Sequence, residues 1–159
     1  MGIVELNNLM DRAASLDNFY SVVQKFHQAV DHPDGHTTQF LLGEEKARRI
    51  AWMQEELDEF KAAKTLTDQA DAMGDLLWFV VGTMVCMGVE PSLIMKPITK
   101  ANMSKIMDDG KVRRRESDGK VQKPEGWQTP EPEIANNIRI KHGVNPEQIM
   151  IPDDDAVVN

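Results

Sequence analysis

Residues 54–60, Gln-Glu-Glu-Leu-Asp-Glu-Phe, and residues 69–88, QADAMGDLLWFVVGTMVCMG, decide how this chain folds and where its chemistry sits. In the first stretch Glu55, Glu56 and Glu59 are spaced by one, three and four. At about 100° per residue such a set occupies one sector of a helix, adjoining an apolar stripe of Ile50, Met53, Leu57 and Phe60. Asp58, Lys61 and Gln54 fall on another sector, that of an ordinary solvated face. The second stretch is apolar nearly all round after Ala72, which predicts a central helix of the core. Asp75 is its only strongly polar side chain up to Met87, and Asp71 stands one turn before it. A carboxylate in an apolar helix is costly unless it is paired or binds metal. An ion pair with Lys46, Arg48 or Arg49 is the structural explanation; a metal site is the functional one.

Working outward, four helices are expected. The first covers Leu16 to Val30, with Phe19, Val22, Val23, Phe26 and Val30 at steps of three and four. A loop from Asp31 to His36 carries Pro33 and Gly35. The second helix spans Gly43 to Lys64. The third runs from an N-cap at Thr67 to Gly88, a glycine stop followed by Pro91. The fourth covers Ser92 to Met107, with Pro97 near its start. The expected fold is all-α: an antiparallel bundle of about four helices over residues 1–108, carrying the metal site. Residues 109–159 are expected to form a basic hairpin arm and a polar tail on the same domain. Asp118-Gly119 would turn a short hairpin between Val112–Glu116 and Lys120–Lys123, and beyond Pro124 the chain reads as extended arm and loosely ordered tail.

Composition limits the function. The chain has 159 residues, 41% hydrophobic and 28% charged, with a net charge of −8. That balance suits one globular domain and disfavours a nucleic-acid polymer as partner, because phosphate backbones need basic excess. An acidic protein can still hold polyphosphate where divalent cations bridge the two. Cys86 is the only cysteine, which rules out an internal disulfide and thiolate metal clusters, and it reads as a small buried residue. No secretory signal is visible, and the most apolar run, Leu76 to Val89, is shorter than a membrane span. The chain is therefore expected to be cytoplasmic, with no membrane partner. Its ten methionines and apolar third helix suggest a homodimer or a dimer of dimers.

Paired carboxylates on two facing helices make an oxygen cage for hard divalent ions. His27, His32, His36 and His142 do not stand at the Glu-x-x-His spacing of di-iron bundles, so Mg²⁺ or Mn²⁺ is favoured. Such ions would polarise a phosphorus for attack by water, and Glu55 or Glu56 could orient or deprotonate that water. His27, beside Phe26, reads as structural, and Trp52 and Trp127 as core residues or base-stacking platforms. Residues 111–123 hold six basic residues against two acids, either a solvated hairpin edge or a cationic arm over phosphates. Lys105, with Lys111 and Lys123, is a candidate phosphate contact, and Asn102 could pair with a pyrimidine edge.

Glu55-Glu56-x-x-Glu59 followed by a second acidic helix resembles the MazG-like all-α nucleoside triphosphate pyrophosphohydrolases. That superfamily also holds dimeric all-α dUTP hydrolases. Its usual second motif is Glu-x-x-Asp; here position 72 is alanine and Asp71 stands four before Asp75. This is similar to a narrower, phosphoribosyl-ATP pyrophosphohydrolase-like branch with DALxDLxYVVxGT, matched by residues 71–83. Asn102-Met103-Ser104-Lys105, Asp109-Gly110-Lys111 and Asp118-Gly119-Lys120-Val121 extend the likeness over about residues 16–134. The resemblance implies cleavage of a nucleoside triphosphate to monophosphate and pyrophosphate. It implies Glu56, Glu59 and Asp75 as metal ligands, with Asp71 next. Phosphoribosyl-ATP hydrolysis and a catalytically silent binding bundle are the alternatives.

Overall fold

The computed structural model describes residues 16–107 and 109–149, and over these the chain is all-α. Its helices are α1 (Leu16–Ala29), α2 (Gly43–Ala62), α3 (Leu66–Met87), α4 (Pro91–Met103) and α5 (Glu131–His142), then a 3-10 turn at Pro146–Gln148. α3 packs along both α2 and α1, while α4 packs against α1 and α5. The core is Tyr20 and Val23 of α1 against Val81 and Val85 of α3, with Phe19, Trp78 and Met84 around it.

α3 starts two residues earlier than expected. Thr65, not Thr67, is the N-cap: its hydroxyl accepts from Asp68 N at 3.1 Å, and the Asp68 carboxylate accepts from Thr65 N at 3.2 Å. This reciprocal capping box satisfies two donors that the helix leaves orphaned. At the other end Gly88 takes a left-handed conformation (φ 63°) that stops the helix. The loop after α1 closes over this end. Gln39 N donates to Met87 O, the Gln39 amide to Cys86 O, and the Thr38 hydroxyl to Gly88 O at 3.1 Å. Gly35 and Gly88 meet backbone to backbone. A Cβ on Gly35 would lie 2.3 Å from Val85 O, and one on Gly88 2.4 Å from Gly35 O. Only glycine fits at either place.

α3, at 22 residues, is long and apolar enough by composition to cross a membrane, longer than the run Leu76–Val89 suggested. Here it packs along α1 and α2, yet it is not enclosed: Met73 and Leu77 are exposed. The stripes read from periodicity also sit differently. On α1 the inward residues are Tyr20, Val23 and His27, while Val22 and Phe26 face outward. On α2 the buried residues are Arg49 and Glu56, and Ile50 and Leu57 are 54% and 45% exposed. A pattern rule places apolar residues inward within one chain; here polar residues hold that place.

Pro97 lies inside α4 and is buried. The hairpin forms as one antiparallel bridge, Arg114 to Val121, around the Asp118-Gly119 turn. The structure corrects the expectation of a structureless segment beyond Pro124. Residues 131–142 form α5, with acids in its first turn, bases in its last and left-handed Gly143 as its stop. The rest of the expected tail, residues 150–159, lies outside the described residues.

Candidate functional site

α2 and α3 run side by side, so residues seven apart on α2 look into the same seam. At one level of the seam stands Arg49, 2% exposed. Its Nε donates to Glu45 Oε1 at 3.0 Å and its Nη2 to Cys86 Sγ at 3.0 Å, with His27 Nε2 at 3.4 Å. His27 Nδ1–H donates to Pro33 O at 2.6 Å, which leaves Nε2 as the acceptor for the guanidinium. Burial pushes the His27 pKa below its usual 6.5, against the Pro33 bond, and the Arg49 charge adds to the lowering. Burial also raises the Cys86 thiol. Glu45 is held below the usual glutamate range: burial would raise it, but bonds to Arg49 and Arg48 outweigh that.

Gly82 makes room for this cluster, since a Cβ there would come within 3.0 Å of both Arg49 Nη1 and His27 Nε2. Arg48 and Arg49 are thus committed to Glu45, and the ion pair considered for Asp75 is not formed among the described residues. Trp52 stacks on His32 (centroids 6.1 Å) and against Phe79, beneath the Arg49 guanidinium at 5.1 Å. His27, Glu45, Arg49 and Cys86 form a structural cluster that sequence patterns missed. The one signal for it was Arg49 standing a whole number of turns from Glu56.

Two turns further along α2 is Glu56, 8% exposed. Its Oε2 is buried with no hydrogen-bond partner. Burial pushes its carboxyl above the usual range, and the charges of Glu59, Asp75, Asp71 and Glu55 push the same way. Those four are exposed and crowd around one buried acid. Glu56 alone is interior; the expectation that both helices turn their acids inward holds for it only. As the side chains stand, no three acids close on a single point among the described residues. A buried carboxylate oxygen without a partner, with four further carboxylates acting on it, nonetheless fits the chemistry of a hard divalent cation, which takes oxygen donors and negative charge.

The residues expected to meet substrate collect elsewhere. Lys105 Nζ donates to Asn102 Oδ1 at 2.6 Å. Lys105 and Lys123 lie 5.6 and 4.3 Å from the centroid of Trp127, whose Nε1–H donates to Ala101 O at 2.6 Å. Lys111 is apart from them, 3.6 Å from Asp109 in its own turn. Asn102 stands at the end of α4, Lys105 follows it, and Lys123 and Trp127 come from the chain beyond the hairpin, whereas the carboxylates stand on α2 and α3. One chain therefore presents two clusters, one acidic and one basic.

The profile of the family described as phosphoribosyl-ATP pyrophosphohydrolase matches residues 23–102, half of the chain and the whole acidic cluster. Among solved structures, a protein from Exiguobacterium sp. 255-15, described as a candidate NTP pyrophosphohydrolase, is 26% identical. The alignment covers 80% of this chain and 98% of that one, with a TM-score of 0.43. No curated protein matches.

Proposed function

The chain belongs to the phosphoribosyl-ATP pyrophosphohydrolase family, and on that premise we propose that it hydrolyses a nucleoside triphosphate to monophosphate and pyrophosphate with Mg²⁺ or Mn²⁺. The observation that carries this reading is Glu56 Oε2, buried and unpartnered among four acids. Glu56, Glu59, Asp75 and Asp71 would hold the cation, with Glu56 as the anchored member because packing fixes it. Held by these residues, such an ion would supply Lewis-acid polarisation of the α-phosphorus and charge neutralisation for the leaving pyrophosphate. Glu55, exposed and adjacent, accepts the proton of the attacking water as the α–β anhydride bond breaks. Asn102 reads the base or sugar, favouring a pyrimidine deoxynucleotide such as dUTP or dCTP, while Lys105, Lys111 and Lys123 meet phosphate.

A homodimer, or a dimer of dimers, completes the reading. Ile50, Leu57 and Phe60 on α2 and Met73 and Leu77 on α3 are large apolar residues left exposed on the two helices that carry the acids. A second copy over them would also screen the acids from water. The family's own description favours phosphoribosyl-ATP as an alternative substrate, with the same bond cleaved.

A turnover panel of the common (d)NTPs and phosphoribosyl-ATP, with each metal and products resolved by chromatography, separates these substrates. Release of only orthophosphate and diphosphate would overturn the cleavage position. Mn²⁺ should also raise the melting temperature, by linkage to a site present in the folded state alone. No turnover and no thermal shift would leave a catalytically silent bundle.

A further inference from the structure

The hairpin arm has a charge arrangement that the carboxylate site does not use. Its bridge pairs Arg114 with Val121, which sets Arg113 opposite Gln122 and Arg115 opposite Lys120. Side chains alternate across a strand, so Arg113, Arg115 and Lys120 project from the same face. They line an open groove of about 510 Å³ with Val121, Gln122 and Lys123, and no acid lines it. Arg115 is held by Asp118. Arg113, Lys120 and Lys123 have no ion pair among the described residues.

A charged edge that merely keeps a hairpin soluble needs no concavity and no fixed side chains. Here Lys123 is pinned against the Trp127 indole at 4.3 Å, and Trp127 is itself tied to Ala101 O. Three like charges around one hollow repel unless an anion lies between them. A triphosphate, compact and carrying three to four negative charges, matches three cations that no carboxylate neutralises. A long polyanion would instead run on against a chain whose net charge is −8.

We propose that this groove binds the polyphosphate chain of the nucleotide, with Arg113 and Lys120 joining Lys123 as phosphate contacts. The inference rests on the pyrophosphohydrolase reading above and lies beyond residues 23–102, the segment that the family profile covers.

Calorimetric titration of the full chain with inorganic tripolyphosphate, without divalent metal, isolates the groove from the carboxylate site. Wild type should bind, and more weakly as salt rises. R113Q/K120Q, folded by circular dichroism, should bind about twofold to thirtyfold more weakly, the worth of two exposed charge contacts. The charge-preserving R113K/K120R should bind much as wild type does. In the turnover panel KM for triphosphate should rise with the loss of tripolyphosphate affinity. Equal binding by R113Q/K120Q, or no binding by wild type, overturns the proposal. So does displacement of tripolyphosphate by a single-stranded oligonucleotide at lower concentration, which would make the groove a nucleic-acid surface. Binding lost as expected, with no nucleotide turned over, supports the groove and sinks the hydrolase reading alone.

Discussion

Arg49 and Glu56 lie about two turns apart on one face of α2, both buried in the same seam against α3. Around Arg49 the donors meet acceptors: Glu45, Cys86 and the neutral His27 ring. The charges that act on Glu56 are all further acids, and its Oε2 has no hydrogen-bond partner. A buried polar group that is fully partnered holds a fold together, whereas one left without a partner calls for something the chain does not contain. The same helix thus carries a fully partnered half and, on the function proposed above, a half that holds the cation.

The strongest attempt to break this contrast is Arg49→Ala. It leaves Glu45 with Arg48 alone and strips His27 Nε2 and Cys86 of their buried donor, and should cost about 1–3 kcal/mol of stability, the penalty for leaving buried polar groups unpartnered. Urea denaturation measures it, and a loss under about 1 kcal/mol would mean the cluster is slack. The mirror experiment is Glu56→Gln, with Asp75→Asn beside it. Each should lower turnover at least about 100-fold, because ligand charge is lost from the proposed cation site. The metal-free protein should be as stable as wild type or more so, since repulsion is relieved. A variant that unfolds yet keeps normal turnover per folded molecule would make that acid structural.

Acid separates the halves more gently. His27 has a lowered pKa, so its contribution is complete above 6.5, starts to be lost as pH falls below that value and is gone once pH passes its lower folded pKa. Glu45, also lowered, contributes fully above 4.5 and fails at lower pH still. Glu56 runs the other way: its carboxyl is raised, so its penalty at neutral pH fades as the group protonates. Wild type should therefore weaken in urea as pH drops below about 6.5, and the extra stability of E56Q should shrink towards pH 4.5. A difference between them that is constant with pH would mean Glu56 is not perturbed.

The acidic half was the legible one. Glu55, Glu56, Glu59, Asp71 and Asp75 announce themselves as like charges at helical spacing beside apolar residues, and four of the five described helices follow from periodicity and glycine or proline punctuation. The Arg49 half was not, because an arginine next to a glutamate on a helix reads as surface. Only the tertiary contact with His27 and Cys86, from two other helices, makes it interior. The apolar stripe of Ile50, Leu57 and Phe60 misled for a related reason, since periodicity marks an apolar face and does not say that the chain's own core covers it. α5 was missed because Pro130 and Pro132 suggested an extended arm, although a proline in the first turn of a helix costs nothing. Its acidic start, basic end and Gly143 were the signals to weigh.

The meeting of Gly35 with Gly88 bears on the order in which the chain assembles. Thr38 and Gly88, joined at the same place, are 50 residues apart in sequence. Their contact cannot form until α3 has reached its stop and the loop has arrived over it, and long closures of this kind come late. The pair is then a latch on a nearly finished molecule and not part of the nucleus from which it grows. Substituting Gly35 with alanine, against a φ of +52° and a carbonyl at 2.3 Å, should speed unfolding and leave the refolding rate almost untouched. Stopped-flow mixing in both directions reads the two rates separately, and a slowed refolding limb would place the contact in the nucleus after all.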